Sequence, residues 1–127
     1  MAKILRVAPY ADDQLNLPVV DVDSAVKFYE IVMGFSVESR SDIDCKKIFL
    51  ERDGFRIGIA ENGGDPSQEG CFFEVDDVEA MSEELKSNGL GKAKTEFRID
   101  QHGDISYKVF FVIAPDGLCY CLGQQQS

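Results

Sequence analysis

Leu15, Leu17 and Val19 alternate along the chain, as the buried face of a strand does. Ala25, Phe28, Tyr29 and Val32 then recur at helical spacing. Asp21 or Asp23 can cap that helix, because a short carboxylate satisfies the unpaired amides of a first turn. Gly34 ends it, where a residue without a β-carbon adopts the left-handed conformation at little cost. The runs FSVESR, CKKIFLE and GFRIGIAE read as three strands, the last two joined by the hairpin signal Asp53-Gly54. ENGGDPSQEG, residues 61–70, has the composition of a linker. The pattern then returns. CFFEVDDVEAMSEELKSNGL predicts a strand, an acidic helix start, a helix and a glycine stop, with Val78, Met81 and Leu85 as the buried stripe. KAKTEFRI, ISYKVFFVIA and LCYCLG follow as strands, the last after the turn Pro115-Asp116-Gly117.

The two halves match in order. Val20-Asp21 aligns with Val75-Asp76, Ala25 with Ala80, and Gly34-Phe35 with Gly89-Leu90, all 55 residues apart. Asp53-Gly54 aligns with Asp116-Gly117 at an offset of 63, which assigns about eight extra residues to the second half, in the RIDQHGD connection. The chain therefore reads as strand–helix–strand–strand–strand written twice. Module one covers about residues 14–61, a linker 62–69 and module two 70–123, in a single domain.

At 127 residues and 44% hydrophobic content the chain can bury a core without staples. Its 13 basic and 23 acidic residues give a net charge of −10, which disfavours nucleic acid and anionic membrane surfaces as partners. No apolar run approaches the ~20 residues of a membrane span, and the first residues lack the apolar segment of a signal peptide. Four cysteines without an export signal predict reduced thiols and a cytoplasmic location.

LPVVDVDSAVKFYEIVMGF, FEVDDVEAMSEELKSNG and VFFVIAPDGLCYCL resemble the vicinal oxygen chelate superfamily, which includes glyoxalase I, extradiol dioxygenases and bleomycin-resistance proteins. The resemblance spans most of residues 14–123 and implies an α+β fold. In it, two tandem βαβββ modules curl a mixed sheet into a cup, with the helices on the convex side. It also implies a homodimer, with the arm Met1 to Asp13 either across a neighbour or added as an edge strand. The superfamily's metal enzymes place four ligands inside the cup. Carried onto this chain, those positions fall on Gln14, Gly58, Gly70 (with Cys71 beside it) and Cys121. A divalent ion needs roughly four to six ligands, mostly oxygen and nitrogen, and glycine has no side chain to offer. The resemblance thus implies the fold without the metal, and no cofactor is expected.

Other chemistry is sparse. Cys119 and Cys121 share a strand face about 7 Å apart at their α-carbons, too far and too parallel for a ready disulfide. With Gln14 they could hold a soft ion; the preferred reading is small cavity residues. Cys71 alternates with Phe73 and Val75 and should face the helices. The single histidine, His102, is a loop residue by composition, so a histidine-rich metal site is excluded. Arg56, Gly58 and Ala60 should face the cup from module one, and Gly70, Phe72 and Glu74 from module two. A Glu74–Arg56 pair could bind a polar substrate or act as acid and base, but an ion pair at the cup rim is the preferred reading. One aromatic set of ISYKVFFVIA should line the cavity, and Phe110 is assigned to it. The glycines are expected to enlarge the cup.

The resulting expectation is a metal-free protein binding a flat, partly apolar small molecule, cationic given the acidic surface. Its site draws on Gln14, Arg56, Gly58, Gly70, Phe72, Glu74, Phe110, Cys119 and Cys121. One alternative is a glyoxalase- or dioxygenase-type metalloenzyme using Gln14, Glu61, Glu74 and Cys121. Another is an interaction module whose cup is packed shut by Phe72, Phe110 and Tyr107.

Overall fold

Asp21 sits in extended conformation and its carboxylate accepts hydrogen bonds from the Asp23 and Ser24 amides, which starts α1 (Val22–Ile31). Asp77 does the same for α2 (Val78–Ser87), accepting from the Ala80 amide. Both helices are followed by a glycine at positive φ, Gly34 at 76° and Gly89 at 113°. The computed structural model in which these elements are seen describes residues 2–9, 13–66, 69–90 and 97–126. Tyr10 of the arm, part of the linker and the start of the expected strand KAKTEFRI lie outside the described residues.

The first half runs β2 (Leu17–Pro18), α1, β3 (Ser36–Ser41), β4 (Lys47–Arg52) and β5 (Phe55–Ala60). The second runs β6 (Gly70–Val75), α2, β7 (Arg98–His102), β8 (Ile105–Ile113) and β9 (Cys119–Gln126). Each half forms its own sheet, ordered β2-β5-β4-β3 and β6-β9-β8-β7. In each, the opening strand lies parallel to the closing one, and the remaining neighbours are antiparallel. This is the expected α+β architecture of two helices and two curled sheets. The arm supplies β1 (Ile4–Pro9), an added edge strand antiparallel to β6 in the second sheet.

The repeat register needs correction by one residue. Leu17 pairs with Ile59 as Phe73 pairs with Leu122, and the caps are Asp21 and Asp77, so the offset through strand and helix is 56. The expected partners Val20 and Val75 are 77% and 1% exposed, which equivalent core positions cannot be. Val22 matches Val78 and Ala25 matches Met81, all buried. The 55-residue spacing holds only at Gly34 and Gly89, because the first half has one extra residue between cap and glycine. The RIDQHGD stretch is not a loose connection: β7 and β8 pair through it, and His102 ends a strand opposite Ile105.

Among the described residues, one main core lies beneath both sheets and both helices. It includes Leu17, Val22, Tyr29, Phe35, Ile57 and Ile59 from the first half and Phe73, Met81, Leu85, Phe110, Tyr120 and Leu122 from the second. Tyr29 and Tyr120 share a buried hydroxyl–hydroxyl hydrogen bond of 2.5 Å across the halves. Arg52 is 8% exposed and ties three segments together. Its guanidinium donates to the Met33 and Ala2 carbonyls, to the Asp53 carboxylate and to Oε1 of Glu84 on α2, and it lies in an ion pair with Glu84 Oε2 at 2.8 Å. This buried cation is thereby both hydrogen-bonded and charge-paired.

Candidate functional site

The face of each sheet away from this core is concave, and the halves furnish it differently. On the first sheet, Arg56 of β5 lies over the Phe49 ring at 4.6 Å and pairs with Glu38 at 2.6 Å. At the centre is Gly58, whose amide donates to the Gln14 carbonyl. A β-carbon there would stand 2.3 Å from the Leu15 carbonyl oxygen. The glycine therefore does not enlarge the cup. The turn around Leu15 closes over it, and any side chain would collide with backbone. Gln14 donates its side-chain amide to the Arg56 carbonyl at 2.8 Å.

On the second sheet, Phe72, Tyr107, Val109, Phe111 and Cys121 form an apolar patch separate from the main core. Phe72 meets Tyr107 edge-on, ring centroids 5.3 Å apart. Arg6 reaches in from β1, 5.4 Å from the centre of the Phe72 ring, with its Nε 3.1 Å from Glu74. Its pKa is raised chiefly by that bond to Glu74, with a smaller contribution from a hydrogen bond to the Tyr107 side chain. Arg98 and Asp100 of β7 pair at 2.8 Å, with Arg98 over Phe111. A recess of about 340 Å³, lined by Arg6, Ala8, Phe72, Ile105 and Tyr107, opens on this face.

Phe72, Glu74 and Cys121 thus come together, with Gly70 and Cys119 paired at one end of the same strand pair. Gln14, Arg56 and Gly58 belong to the other sheet. Phe110 needs correction: it is fully buried on the helix side, against Phe97, while Tyr107, Val109 and Phe111 take the concave side. The expected Glu74–Arg56 pair is not made, since Glu74 binds Arg6 and Arg56 binds Glu38. Nor is the concave face packed shut, because the recess remains beside Phe72 and Tyr107. Arg6 escaped the sequence reading because its partner Glu74 lies 68 residues away. Only the strict alternation of β8 hinted at Tyr107 and Phe111 as a set.

A larger recess of about 540 Å³ lies between the helix ends, lined by Lys3, Glu30, Arg52, Asp53, Glu84 and Asn88 among others. Its buried charge, Arg52, is already saturated by the protein itself, which marks a structural junction.

The positions that the resemblance assigns to metal ligands offer few free donors among the described residues. Gly58 has no room for a donor, Gly70 has no side chain, and the Gln14 amide is bonded to Arg56. The Cys121 thiol is pushed up to about 12, mainly by burial and then by Asp100, so it holds its proton at neutral pH. The alternative set fares no better. Glu61 accepts from the Val22 amide at the start of α1, and Glu74 is engaged by Arg6. Among the described residues, no group of three His, Cys, Asp or Glu is placed to hold a metal ion. The four cysteines are unpaired, and burial pushes Cys71 up to about 12 as well. No helix among the described residues is long and apolar enough to cross a membrane.

Comparison with solved structures supports the same architecture. A protein from the mobile metagenome of V. pseudocholerae superposes with a TM-score of 0.71 at 20% identity, covering 92% of this chain and 95% of that one. A bleomycin resistance determinant encoded on transposon Tn5 gives 0.68 at 24% identity, covering 90% and 97%. A bleomycin-binding protein complexed with bleomycin gives 0.67 at 24% identity, covering 91% and 99%. At these identities the likeness concerns the fold alone. No curated protein matches the chain by sequence. The family model for the Glyoxalase/Bleomycin resistance protein/Dioxygenase superfamily matches residues 12–118, and the chain belongs to that superfamily.

Proposed function

We propose that this protein is a metal-free receptor for a small, flat, partly apolar molecule, held on the concave face of the second sheet. The observation that carries the reading is the recess beside Phe72 and Tyr107, an apolar floor with a few polar groups at its rim. The unsuited donor set argues in the same direction: the four ligand positions provide one amide already bonded, two glycines and a protonated thiol. The bleomycin-binding protein of the same fold, described with bleomycin bound, makes such a role familiar for this architecture. A homodimer in the cytoplasm fits the unpaired thiols and the exposed Ile99 on edge strand β7.

The test is a thermal-shift screen of metal-stripped protein against a panel of flat cationic, neutral and anionic molecules, bleomycin included. A ligand at a hundred times its Kd stabilises by about 2.7 kcal/mol, which is several degrees in Tm. Metal analysis of protein purified without chelator should find well under one equivalent. Stoichiometric metal, or a panel in which nothing raises Tm, would sink the reading.

A further inference from the structure

At three places on the concave faces an arginine lies over an aromatic ring and is tied to a carboxylate: Arg6–Phe72–Glu74, Arg56–Phe49–Glu38 and Arg98–Phe111–Asp100. They are not equivalent. Arg98 and Asp100 are two residues apart on one strand, and Arg56 and Glu38 belong to one sheet's own hairpins. Arg6 hangs from the added edge strand β1 and borders the recess. Its side chain is 51% exposed, whereas its partner Glu74 is 18% exposed. The carboxylate is the enclosed member, and the cation is the one that water reaches.

A carboxylate only 18% exposed is favoured by a positive partner beside it. The fold does not require that partner to be Arg6. A cation over a ring at a half-exposed site, an ion pair at a rim and the hydrogen bond to Tyr107 are each modest contacts, and the arginine can swing out while β1 stays paired to β6 through its backbone.

Resting on the receptor reading above, we propose that the recess beside Phe72, Tyr107 and Glu74 takes the cationic head of the ligand, and that Arg6 is the internal occupant which this head displaces. The ligand class is an amidinium, guanidinium or ammonium group on a flat apolar body. The body lies against Phe72, Tyr107, Ala8 and Ile105, and the head meets Glu74. Arg6 then determines specificity. A neutral or anionic molecule of the same shape cannot restore the charge that Glu74 loses when the arginine leaves. The net charge of −10 also favours the approach of a cation.

Benzamidinium, benzoate and benzamide share one shape and differ in charge, so they serve as probes. Each is titrated by calorimetry or NMR into the full chain, Arg6→Gln, and Arg6→Gln combined with Glu74→Gln, with circular dichroism confirming the fold of each. Benzamidinium should bind Arg6→Gln roughly fivefold or more tightly than the unaltered chain, and Glu74→Gln should remove the gain. Benzoate and benzamide should gain nothing. If Arg6→Gln fails to fold, Arg6→Lys, with a head that stacks less well on a ring, should show a smaller gain in the same direction. Equal benzamidinium affinity with and without Arg6, or benzoate binding that Arg6→Gln abolishes, overturns the displacement model and leaves the receptor reading standing. No binding of any probe by any folded variant also overturns it, and the thermal-shift panel then judges the receptor reading by itself.

Discussion

Gly58 and Cys121 are equivalent positions on the closing strands of the two halves, and they meet opposite surroundings. Over Gly58 the chain itself fills the space, with the Leu15 carbonyl where a side chain would begin. Over Cys121 there is an apolar patch of side chains and, at its edge, a recess. One topology has therefore produced a sealed face and an open one. The difference comes from two stretches that both precede β2 in the chain, the turn at residues 13–16 and the edge strand β1. In the first half the turn at residues 13–16 folds over the sheet, and Gly58 and Gln14 bond through their backbones. In the second half β1 adds at the sheet edge and leaves the face open.

The halves are independent as sheets but share one core, and Arg52→Leu should show how much. It strands the Glu84 carboxylate and the Ala2 and Met33 carbonyls, so a loss of about 3–5 kcal/mol is expected in urea unfolding. A loss below about 1 kcal/mol would mean that the halves hold together without this tie.

Gly58→Ala tests the sealed face directly. Its new methyl meets backbone, which cannot step aside, and a loss of about 2–3 kcal/mol is expected. Gly123→Ala is the contrast on the open side. There the methyl meets the Val109 and Phe72 side chains at 2.8 and 3.0 Å rather than backbone, and side chains yield more than backbone, so the cost should be smaller, about 1–2 kcal/mol. Equal costs would break the comparison.

The thiols sharpen it through pH. Cys71 in the shared core and Cys121 on the open face are both raised from 9.0 to about 12, chiefly by burial. The folded state keeps these protons longer than the unfolded chain does. Their contribution to stability is therefore complete below pH 9.0 and is lost as pH rises from there toward 12. Each thiol should cost at most about 1.4 kcal/mol per pH unit within that window. Urea midpoints between about pH 8 and 10 measure the slope, and Cys121→Ala should remove its share while leaving that of Cys71. Tyr29→Phe, the mildest change, deletes the hydroxyl pair between halves and should cost about 1 kcal/mol in thermal unfolding.

Much of this could be read from the chain. The cap Asp21 (one of two candidates), the acidic start of the second helix, the glycine stops and the Asp53-Gly54 turn are local, since each depends on residues within a few positions of one another. Alternation correctly assigned Cys71, with Phe73 and Val75, to the core, because a strand's two faces are fixed by parity once one buried residue is known. The repeat itself was legible, but its register slipped by one: Val20 and Val75 look alike in sequence and differ in burial.

What the sequence determined by itself is the α+β architecture of paired helices and sheets, and with it the superfamily, because periodicity, capping and turn chemistry act over short distances. The tertiary structure alone decided which face stays open. Phe110 and Phe111 are neighbours in the chain, and only packing against the helices sends one to the core and the other to the concave side. Gly58 could read as a void until Leu15 was seen above it. Arg6 meets Glu74 only because β1 adds beside β6, a contact across 68 residues that no local pattern encodes.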